Sequence, residues 1–219
     1  MSKHIMKQKM KNLLIIGARG FGREVYDLAL DCVGAGAEFK VKGFLDDKAD
    51  ALDGFSGYPP IISSVEDYEI QQDDIFICGL GDPKWRKVYT EKILEKGGKF
   101  ASLISPYAII RRNANIGVGC IVTHYSNISM DATVGDHCAI LSSGIGHDAK
   151  VGKYSVLSGR VSLNGFVEVG EEAYIACGVC VAPHKKIGDR AFVGIGSVVI
   201  KNVKADTKVF GNPAKKIEI

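Results

Sequence analysis

A branched aliphatic residue at every sixth position constrains this chain more than any other feature. The series runs from Ile104 to Ile140, shifts once by five residues, and resumes from Ile145 to Val199. The seventeen members are Ile104, Ile110, Ile116, Val122, Ile128, Val134, Ile140, Ile145, Val151, Leu157, Leu163, Val169, Ile175, Val181, Ile187, Val193 and Val199. A six-residue period predicts a parallel β-helix, in which each hexad is one strand and turn and three hexads form one coil.

Small residues and glycines support the same interpretation. Glycine accounts for 26 of the 219 residues, and in the repeat region it often follows the aliphatic, where a corner is expected. The position two residues before the aliphatic is usually small or valine. We expect a narrow prism wound as a left-handed coil, the hand typical of hexapeptide repeats, with Cys120 and Cys138 stacked inside it.

The first hundred residues carry a different pattern. Short apolar runs at 11–16, 40–45 and 74–78 alternate with helical spacings at 23–33 and 84–96. Alternation of this kind predicts a small Rossmann-like parallel sheet with helices on its faces. A ligand is then expected beyond the carboxyl ends of the strands.

Charge and cysteine usage exclude several classes of protein. The 28 basic and 25 acidic residues give a net charge of +3, and no basic run is long enough to favour nucleic acid. No secretory signal leads the chain and no apolar run approaches a membrane span, so we expect a cytoplasmic protein with free cysteines. Cys177-x-x-Cys180 lacks a second ligand pair at zinc spacing, so no metal is expected.

His147 is the leading candidate for a general base. It lies in the hexad after the shift, within Ile145-Gly-His-Asp-Ala149. An imidazole can take a proton at neutral pH, and the adjacent Asp148 can orient it. Gly165 follows eighteen residues later, one coil above on the same face, where its N–H can bind a developing oxyanion. The alternative is a solvent-exposed turn histidine. His124 and His137 occupy hexad positions where exposed turn residues are expected.

Glycine-rich loops follow two of the predicted strands. The first contains Gly17, Arg19, Gly20 and Gly22, in the order G-x-x-G-x-G rather than the G-x-G-x-x-G of dinucleotide sites. It opens a helix whose N-terminal amides favour an anion, and Asp46 ends the next strand where it can reach a ribose or a base edge. The loop therefore favours a nucleotide more than NAD. The alternative is a tight strand–helix turn.

The second loop is Gly79-Leu-Gly81-Asp82, after the third strand. It is equally compatible with a nucleotide contact and with a plain helix start. In the second case Asp82 is the N-cap and Pro83 lies in the first turn.

Together these motifs resemble the sialic acid O-acetyltransferase (NeuD-type) family, which includes PglD-type UDP-N-acetylbacillosamine N-acetyltransferases. The resemblance covers nearly the whole chain from Lys11. It rests on the first glycine loop and the hexad array, together with Phe44-Leu-Asp-Asp47, Gly79-Leu-Gly-Asp82, Ile145-Gly-His-Asp148 and Gly211-Asn-Pro-Ala-Lys-Lys-Ile217. Many acyltransferases share hexapeptides, whereas their combination with this N-terminal domain is much more specific.

The resemblance implies a homotrimer with active sites between neighbouring coils, acetyl-CoA along the coil and a nucleotide sugar held by the N-terminal domain. It implies a disordered tail at 1–10, a nucleotide-sugar-binding domain at 11–100 and an acyltransferase coil at 101–219. His147 matches the family's catalytic base, Asp148 its supporting acid and Gly165 the donor to the thioester carbonyl. The positions that match nucleotide contacts are Gly17, Arg19, Gly20, Asp46, Asp47, Gly81 and Asp82.

Four lysines are candidates for the phosphates of CoA. They are Lys185, Lys186, Lys215 and Lys216, and a solvated surface is their alternative interpretation. Three positions depart from the family pattern, since Phe21, Ser105 and Val156 stand where many or some members have histidine. Those positions lie near the sugar in the family, so the identity of the acceptor stays open.

The expected activity is transfer of an acetyl group from acetyl-CoA to an amino group of a nucleotide-linked amino sugar, for bacterial surface glycan biosynthesis. Two alternatives stay open. One is O-acetylation of a sialic acid or another sugar hydroxyl, and the other is a non-catalytic trimer that binds nucleotides.

Overall fold

The computed structural model describes residues 10–218, so the predicted tail at 1–10 lies outside the described residues except for the exposed Met10. Its first domain is a four-stranded parallel sheet in the order β3-β2-β1-β4. The elements are β1 (Lys11–Ile16), α1 (Gly20–Gly34), β2 (Phe39–Leu45), β3 (Ile61–Ser63), β4 (Asp74–Cys78) and α2 (Pro83–Glu95). Strands β1, β2 and β4 and both helices confirm the sequence analysis, whereas the short edge strand β3 was not predicted.

Both faces of this sheet are covered. Alternate side chains of β1 point to opposite faces, so Leu13 and Ile15 pack with α1 while Leu14 and Ile16 pack in a cluster with Ile93 of α2. This explains why the predicted strand is a continuous apolar run rather than an alternating one. The carboxyl ends of β1, β2 and β4 therefore meet at one open edge.

The chain leaves the sheet at residues 100–101 and enters a coil of two- and three-residue strands. In chain order these are β5 (Leu103–Ile104), β6 (Ile109–Ile110), β7 (Asn115–Ile116), β8 (Ile121–Val122), β9 (Asn127–Ile128), β10 (Thr133–Val134), β11 (Ala139–Ile140), β12 (Gly144–Ile145), β13 (Lys150–Val151), β14 (Val156–Leu157), β15 (Ser162–Leu163), β16 (Glu168–Val169), β17 (Tyr174–Ile175), β18 (Cys180–Val181), β19 (Lys186–Ile187), β20 (Phe192–Val193), β21 (Val198–Val199), β22 (Lys208–Phe210) and β23 (Lys215–Lys216).

Every third strand belongs to the same parallel sheet, so the coil is a parallel β-helix with three faces, as predicted. Face 1 contains β5, β8, β11, β14, β17, β20 and β22, with β23 added antiparallel. Face 2 contains β6, β9, β12, β15, β18 and β21, and face 3 contains β7, β10, β13, β16 and β19. We call the turns that join face 2 to face 3 corner 2–3, and those that join face 3 to face 1 corner 3–1.

The repeated aliphatics fill the inside of this prism as predicted. From Val122 onward all of them are buried, and they form one continuous cluster. Ile104 and Ile110 remain 36% and 38% exposed because they lie in the first coil, which has no coil below it. Cys120 and Cys138 are fully buried in the same cluster, which confirms that they stack inside the prism.

The five-residue step is a shortened turn between β11 and β12. Ser143 fills the inward position there, and its hydroxyl shares its one proton between the carbonyl oxygens of Leu141 and Ser158, at 2.8 and 2.6 Å. These bonds satisfy backbone groups at the shorter turn. The strands above and below stay in register, and Gly144 pairs with both Asn127 and Ser162.

The N-terminal domain packs on face 1. Leu103, Ile121, Ala139 and Val156 point outward from that face and share one apolar cluster with α1. Helix α2 lies against corner 3–1, where Lys87 pairs with Glu172 at 2.8 Å. Corner 2–3 is the edge of the prism opposite face 1, so the N-terminal domain leaves it uncovered.

His137 corrects one expectation from the sequence. It lies at corner 3–1 but is only 5% exposed, because its ring packs between Phe100 and Tyr154. Burial lowers the pKa of His137 to about 4. Within residues 10–218 no helix is long and apolar enough to cross a membrane, and no three His, Cys, Asp or Glu side chains form a metal-binding group.

Candidate active site

His147 lies at corner 2–3, between β12 and β13, with its imidazole about half exposed. Its Nδ1 lies 2.9 Å from Oδ2 of Asp148. Asp148 has φ +57°, a left-handed conformation that aspartate tolerates better than most residues. The Asp148 carboxylate therefore favours the tautomer with the proton on Nδ1, which leaves Nε2 as the basic nitrogen.

Gly165 lies directly over the His147 ring. A Cβ built on Gly165 would lie 2.6 Å from both Cε1 and Nε2, closer than a side chain can approach. The Gly165 carbonyl accepts from the His184 N–H at 3.1 Å, whereas no acceptor in the described part of the chain takes the Gly165 N–H. A free backbone donor thus lies beside a free imidazole nitrogen, the pair predicted from the eighteen-residue spacing.

A cavity of about 470 Å³ surrounds this pair. Its lower wall includes Asn127 and Gly144, and its upper wall includes Ser162 and Asn164. Small or polar side chains on this stretch of face 2 leave room beside the histidine, and the site can therefore accommodate a thioester and an attacking nucleophile.

A second cavity, of about 360 Å³, lies at the carboxyl ends of β1, β2 and β4. Arg19 lies at its rim, and Leu80 and Val65 give it an apolar floor. Gly17, at φ +93°, turns the chain there, and a Cβ on Gly22 would come within 1.9 Å of the Gly17 carbonyl oxygen. Glycine at both positions is needed for this tight turn.

The two aspartates that end β2 have different partners. Asp46 accepts from the backbone N–H groups of Ala18 and Lys48, at 2.8 and 2.9 Å, so it ties the glycine loop to the end of β2. Asp47 accepts from the hydroxyl of Tyr89, and that bond raises the pKa of Tyr89 to about 12. The cavity thus presents carboxylate oxygens beside the aromatic rings of Tyr89 and Trp85.

Comparison with known families now places the chain. The N-terminal part matches the family model described as the PglD N-terminal domain over residues 12–93. The coil matches the model described as the GMPPB C-terminal domain over residues 99–210, just over half of the chain. The resemblance to the PglD/NeuD-type hexapeptide-repeat family is therefore confirmed for the N-terminal part. The coil belongs to the GMPPB C-terminal domain family.

Two solved structures are similar to this chain across both of its domains. The acetyltransferase domain of PglB from Neisseria gonorrhoeae FA1090, in complex with acetyl coenzyme A, is 26% identical; the similarity covers 95% of this chain and 100% of that chain, with a TM-score of 0.85. PerB from Caulobacter crescentus, in complex with CoA and GDP-perosamine, is 24% identical over 96% of this chain and 99% of its own, with a TM-score of 0.84. At that identity PerB shows the shared fold.

Curated relatives match more than half of the chain. The acyl-[acyl-carrier-protein]–UDP-N-acetylglucosamine O-acyltransferase of Pseudomonas putida F1 is 32% identical over 127 residues, which are 58% of this chain and 47% of the relative. The chain therefore spans about half the length of the curated relatives it matches. The 127 matched residues are more than the N-terminal domain contains, so the match includes at least part of the coil.

The structure brings together most of the site residues expected from the family resemblance. The N-terminal cavity is lined by six of the seven expected nucleotide contacts: Gly17, Arg19, Asp46, Asp47, Gly81 and Asp82. Gly20 is exposed in the first turn of α1 and is not among the lining residues. Asp82 is also the N-cap of α2, since its carboxylate accepts from the Trp85 N–H at 3.1 Å. The N-cap interpretation of Asp82 is therefore confirmed, and its contact with a nucleotide stays a prediction.

The candidate lysines lie beside or on face 3 and near the last coil. Lys186 points outward from face 3 and pairs with Glu168 at 2.7 Å, and Lys185 precedes it in the chain. Lys215 and Lys216 line a groove of about 510 Å³ near the last coil, together with Lys201 and Lys204. None of the predicted lysines is among the residues that line the His147 cavity.

Sequence analysis missed several residues that line the two cavities. Trp85 and Tyr89 lie four residues apart on α2, a spacing that places both on one face, but only the sheet edge reveals that this face lines a cavity. Phe166 and His184 lie beside His147 because corners stack from coil to coil. The eighteen-residue spacing that identified Gly165 could also have placed His184 one coil above Phe166.

Proposed function

We propose that this chain is an acetyl-CoA-dependent acetyltransferase that acts on the amino group of a nucleotide-linked amino sugar, in bacterial surface glycan biosynthesis. The observation that carries this proposal is the His147 site, where a base oriented by Asp148 lies beside the free N–H of Gly165. The similarity to PglB, solved with acetyl coenzyme A, supports acetyl-CoA as the donor. The N-terminal cavity and the match to the PglD N-terminal domain support a nucleotide-linked acceptor.

The proposed reaction is direct transfer without an acyl-enzyme. The sugar amine attacks the thioester carbonyl carbon while Nε2 of His147 takes the proton that the amine loses. The carbonyl oxygen becomes an oxyanion and accepts from the N–H of Gly165, and Asp148 stabilises the imidazolium. Collapse of the tetrahedral intermediate breaks the C–S bond, and His147 returns its proton to the departing thiolate of CoA.

The two cavities also support a homotrimer. The N-terminal domain packs on face 1, whereas His147 lies at the opposite edge of the prism, and the two cavities share no lining residue. We propose that a neighbouring chain brings its nucleotide cavity to the exposed corner 2–3, so that each active site forms between two chains. Holding both substrates in one cleft then supplies much of the rate.

Binding of CoA along the coil is part of the same proposal. Lys185, Lys186 and Lys215 are proposed contacts of its phosphates, and the four lysines of the groove near the last coil support this for Lys215. A cytoplasmic location is also proposed, because acetyl-CoA and nucleotide sugars are cytoplasmic metabolites.

The proposal is tested by measuring thiol release from acetyl-CoA with UDP-, dTDP-, GDP- and CMP-linked 4-amino sugars. We expect one of these acceptors to be acetylated, and we expect His147→Asn to reduce kcat by about 10²- to 10⁴-fold because the general base is lost. His124→Asn is the matched control, since His124 pairs with Asp31 at the side of α1 and lines a different groove. Undiminished turnover by His147→Asn would contradict the role of that residue.

O-acetylation is the second candidate, because the curated relatives of the coil carry the name of an O-acyltransferase of a UDP-linked sugar. The two products are distinguished by neutral hydroxylamine, which removes an O-acetyl ester and leaves an amide intact. Saturable binding of a nucleotide without any binding of acetyl-CoA, measured by calorimetry, would instead favour a non-catalytic nucleotide-binding trimer.

A further inference from the structure

Phe166 makes two ring contacts at the proposed active site. Its ring is perpendicular to the His147 imidazole, at 89° with centroids 5.1 Å apart. It is also stacked with the ring of His184 from the next coil, at 6° and 4.7 Å. Phe166 therefore lies between two histidines of which only His147 has a role in the proposed reaction.

Phe166 has φ +60°, a left-handed backbone conformation that recurs at the corners of this coil. Residues at the equivalent position of successive coils stack as a column, and from Asp131 upward each N–H donates to a carbonyl oxygen of the coil below. All of them have a left-handed φ, and the three below Phe166 are Asn113, Asp131 and Asp148. Asparagine and aspartate tolerate this conformation better than phenylalanine does, so the backbone at Phe166 is strained.

The contacts show what an aromatic side chain contributes at this position. The bond from Nδ1 to Asp148 fixes one edge of the His147 imidazole, but a single hydrogen bond leaves the ring free to tilt about it. The perpendicular Phe166 ring blocks that tilt on one side, and the His184 ring supports Phe166 from behind. The Nε2 atom is thereby held beside the free N–H of Gly165.

We infer that Phe166 is a positioning residue for His147, held in place by the stacked ring of His184. The inference rests on the proposed acetyl transfer and deepens it, because it concerns the geometry of the base in that reaction. Phe166 takes no proton and forms no bond with either substrate. Its contribution is to keep Nε2 aligned with the attacking amine, which belongs to the orientation part of catalysis.

The direct test is Phe166→Asn, which replaces the aromatic ring by a residue suited to the left-handed backbone. We expect kcat to fall on the order of 10-fold, because loss of alignment slows the chemical step. We expect KM for acetyl-CoA to change by less than about 2-fold, because the ring orients the base and is not proposed to bind the donor. The midpoint of thermal unfolding is expected to stay the same or to rise, because the backbone strain is relieved.

Two conservative variants separate packing from proton transfer. Phe166→Tyr keeps the ring and is expected to retain most of the activity. His184→Phe keeps a stacked ring without a titratable group. Because His184 acts through packing, we expect this variant to retain most of the activity. Loss of activity in His184→Phe with an intact unfolding midpoint would overturn the role given to His184.

Tyr125→Asn is the matched control for the backbone effect. Tyr125 has φ +61° at a different corner and is 80% exposed, and it lines neither cavity. We expect its substitution to leave kcat unchanged while its unfolding midpoint stays the same or rises.

Three results decide between the possibilities. Wild-type turnover by Phe166→Asn would overturn the inference while leaving the proposed function intact. A fall in kcat that is matched by a lower unfolding midpoint would also overturn it, because the residue would then be structural. If the unsubstituted protein transferred no acetyl group to any acceptor, the proposed function would fail, and this inference would fail with it.

Discussion

Gly165 lies so close to the His147 ring that no side chain fits between them. A Cβ there would meet Cε1 and Nε2 of the imidazole at 2.6 Å, and its N–H is the donor assigned to the oxyanion. Gly165 does not have the positive φ that distinguishes Gly17, so its backbone conformation is open to other residues. The absence of a side chain at Gly165 therefore serves the site rather than the turn.

This contact predicts the behaviour of Gly165→Ala. The added methyl group must displace the His147 ring from the Gly165 N–H, so we expect kcat to fall by on the order of 10²-fold while the protein remains folded. Steady-state kinetics and thermal unfolding of the same preparation measure the two effects.

Gly159→Ala provides the comparison for this substitution. Its added Cβ would meet only the Cys177 sulfur, at 3.8 Å, which is ordinary contact distance. We expect wild-type kinetics from Gly159→Ala. Equal activity in the two alanine variants would show that the ring of His147 does not need the space above it.

At the scale of elements, α2 joins the two domains through a buried contact at corner 3–1. Arg86 is completely buried and donates through Nη1 to the His137 carbonyl oxygen at 3.3 Å. The His137 ring packs between Phe100 and Tyr154 in the same contact. Because α2 also carries Trp85 and Tyr89, which line the N-terminal cavity, this contact fixes one wall of that cavity to the coil.

The buried histidine predicts how stability depends on pH. Burial lowers the pKa of His137 to about 4 from its ordinary 6.5, so between these values the unfolded chain binds a proton that the native chain does not. The free energy of unfolding should therefore fall as the pH falls through this window, by about 2–3 kcal/mol between pH 7 and pH 4. Urea unfolding at a series of pH values measures this change.

The control for this pH dependence is His137→Phe, which keeps an aromatic ring between Phe100 and Tyr154. We expect its free energy of unfolding to be nearly constant from pH 6.5 to pH 4. Below pH 4 the free energy of unfolding should still fall. This fall in the free energy of unfolding below pH 4 follows from Asp74 and Asp136, whose pKa values are lowered by hydrogen bonds and nearby lysines. An unchanged slope in His137→Phe would assign the pH dependence to other groups.

Elements that follow from local pattern were predictable, and those that depend on packing were not. The hexad repeat determined the coil because each aliphatic points inward for the same local reason, and the spacing placed Gly165 over His147. Burial of His137 depends on α2, which lies some fifty residues earlier in the chain. The same holds for the aromatic wall of Trp85 and Tyr89 and for the edge strand β3. Both depend on tertiary contacts, which cannot be deduced from a single sequence.

At the scale of the whole molecule, the question is how a nucleotide-linked acceptor reaches His147. The N-terminal cavity, which is the proposed nucleotide site, opens at the sheet edge of a domain that packs on face 1. The base lies at the opposite corner, which the same chain leaves uncovered. In a closed ring of chains, each corner 2–3 can face the nucleotide cavity of the next chain, which is the arrangement of a head-to-tail interface.

Complementation between two inactive variants tests this arrangement. His147→Ala removes the base but leaves the nucleotide cavity, whereas Arg19→Glu reverses a charge at the cavity rim and leaves the base. Arg19 makes no side-chain cap bond to α1, so its substitution is expected to preserve folding. Each variant alone should be inactive, and co-expression of the two with different tags yields mixed trimers for assay.

The expected recovery follows from counting sites in a ring. A site is competent when one chain retains His147 and its neighbour retains Arg19, so an equal random mixture should recover about one quarter of wild-type turnover per site. Native mass spectrometry of the purified mixture establishes that mixed trimers are present. If those trimers stay inactive while the unsubstituted trimer turns over, base and nucleotide cavity belong to the same chain, and the path between them must run around a single coil.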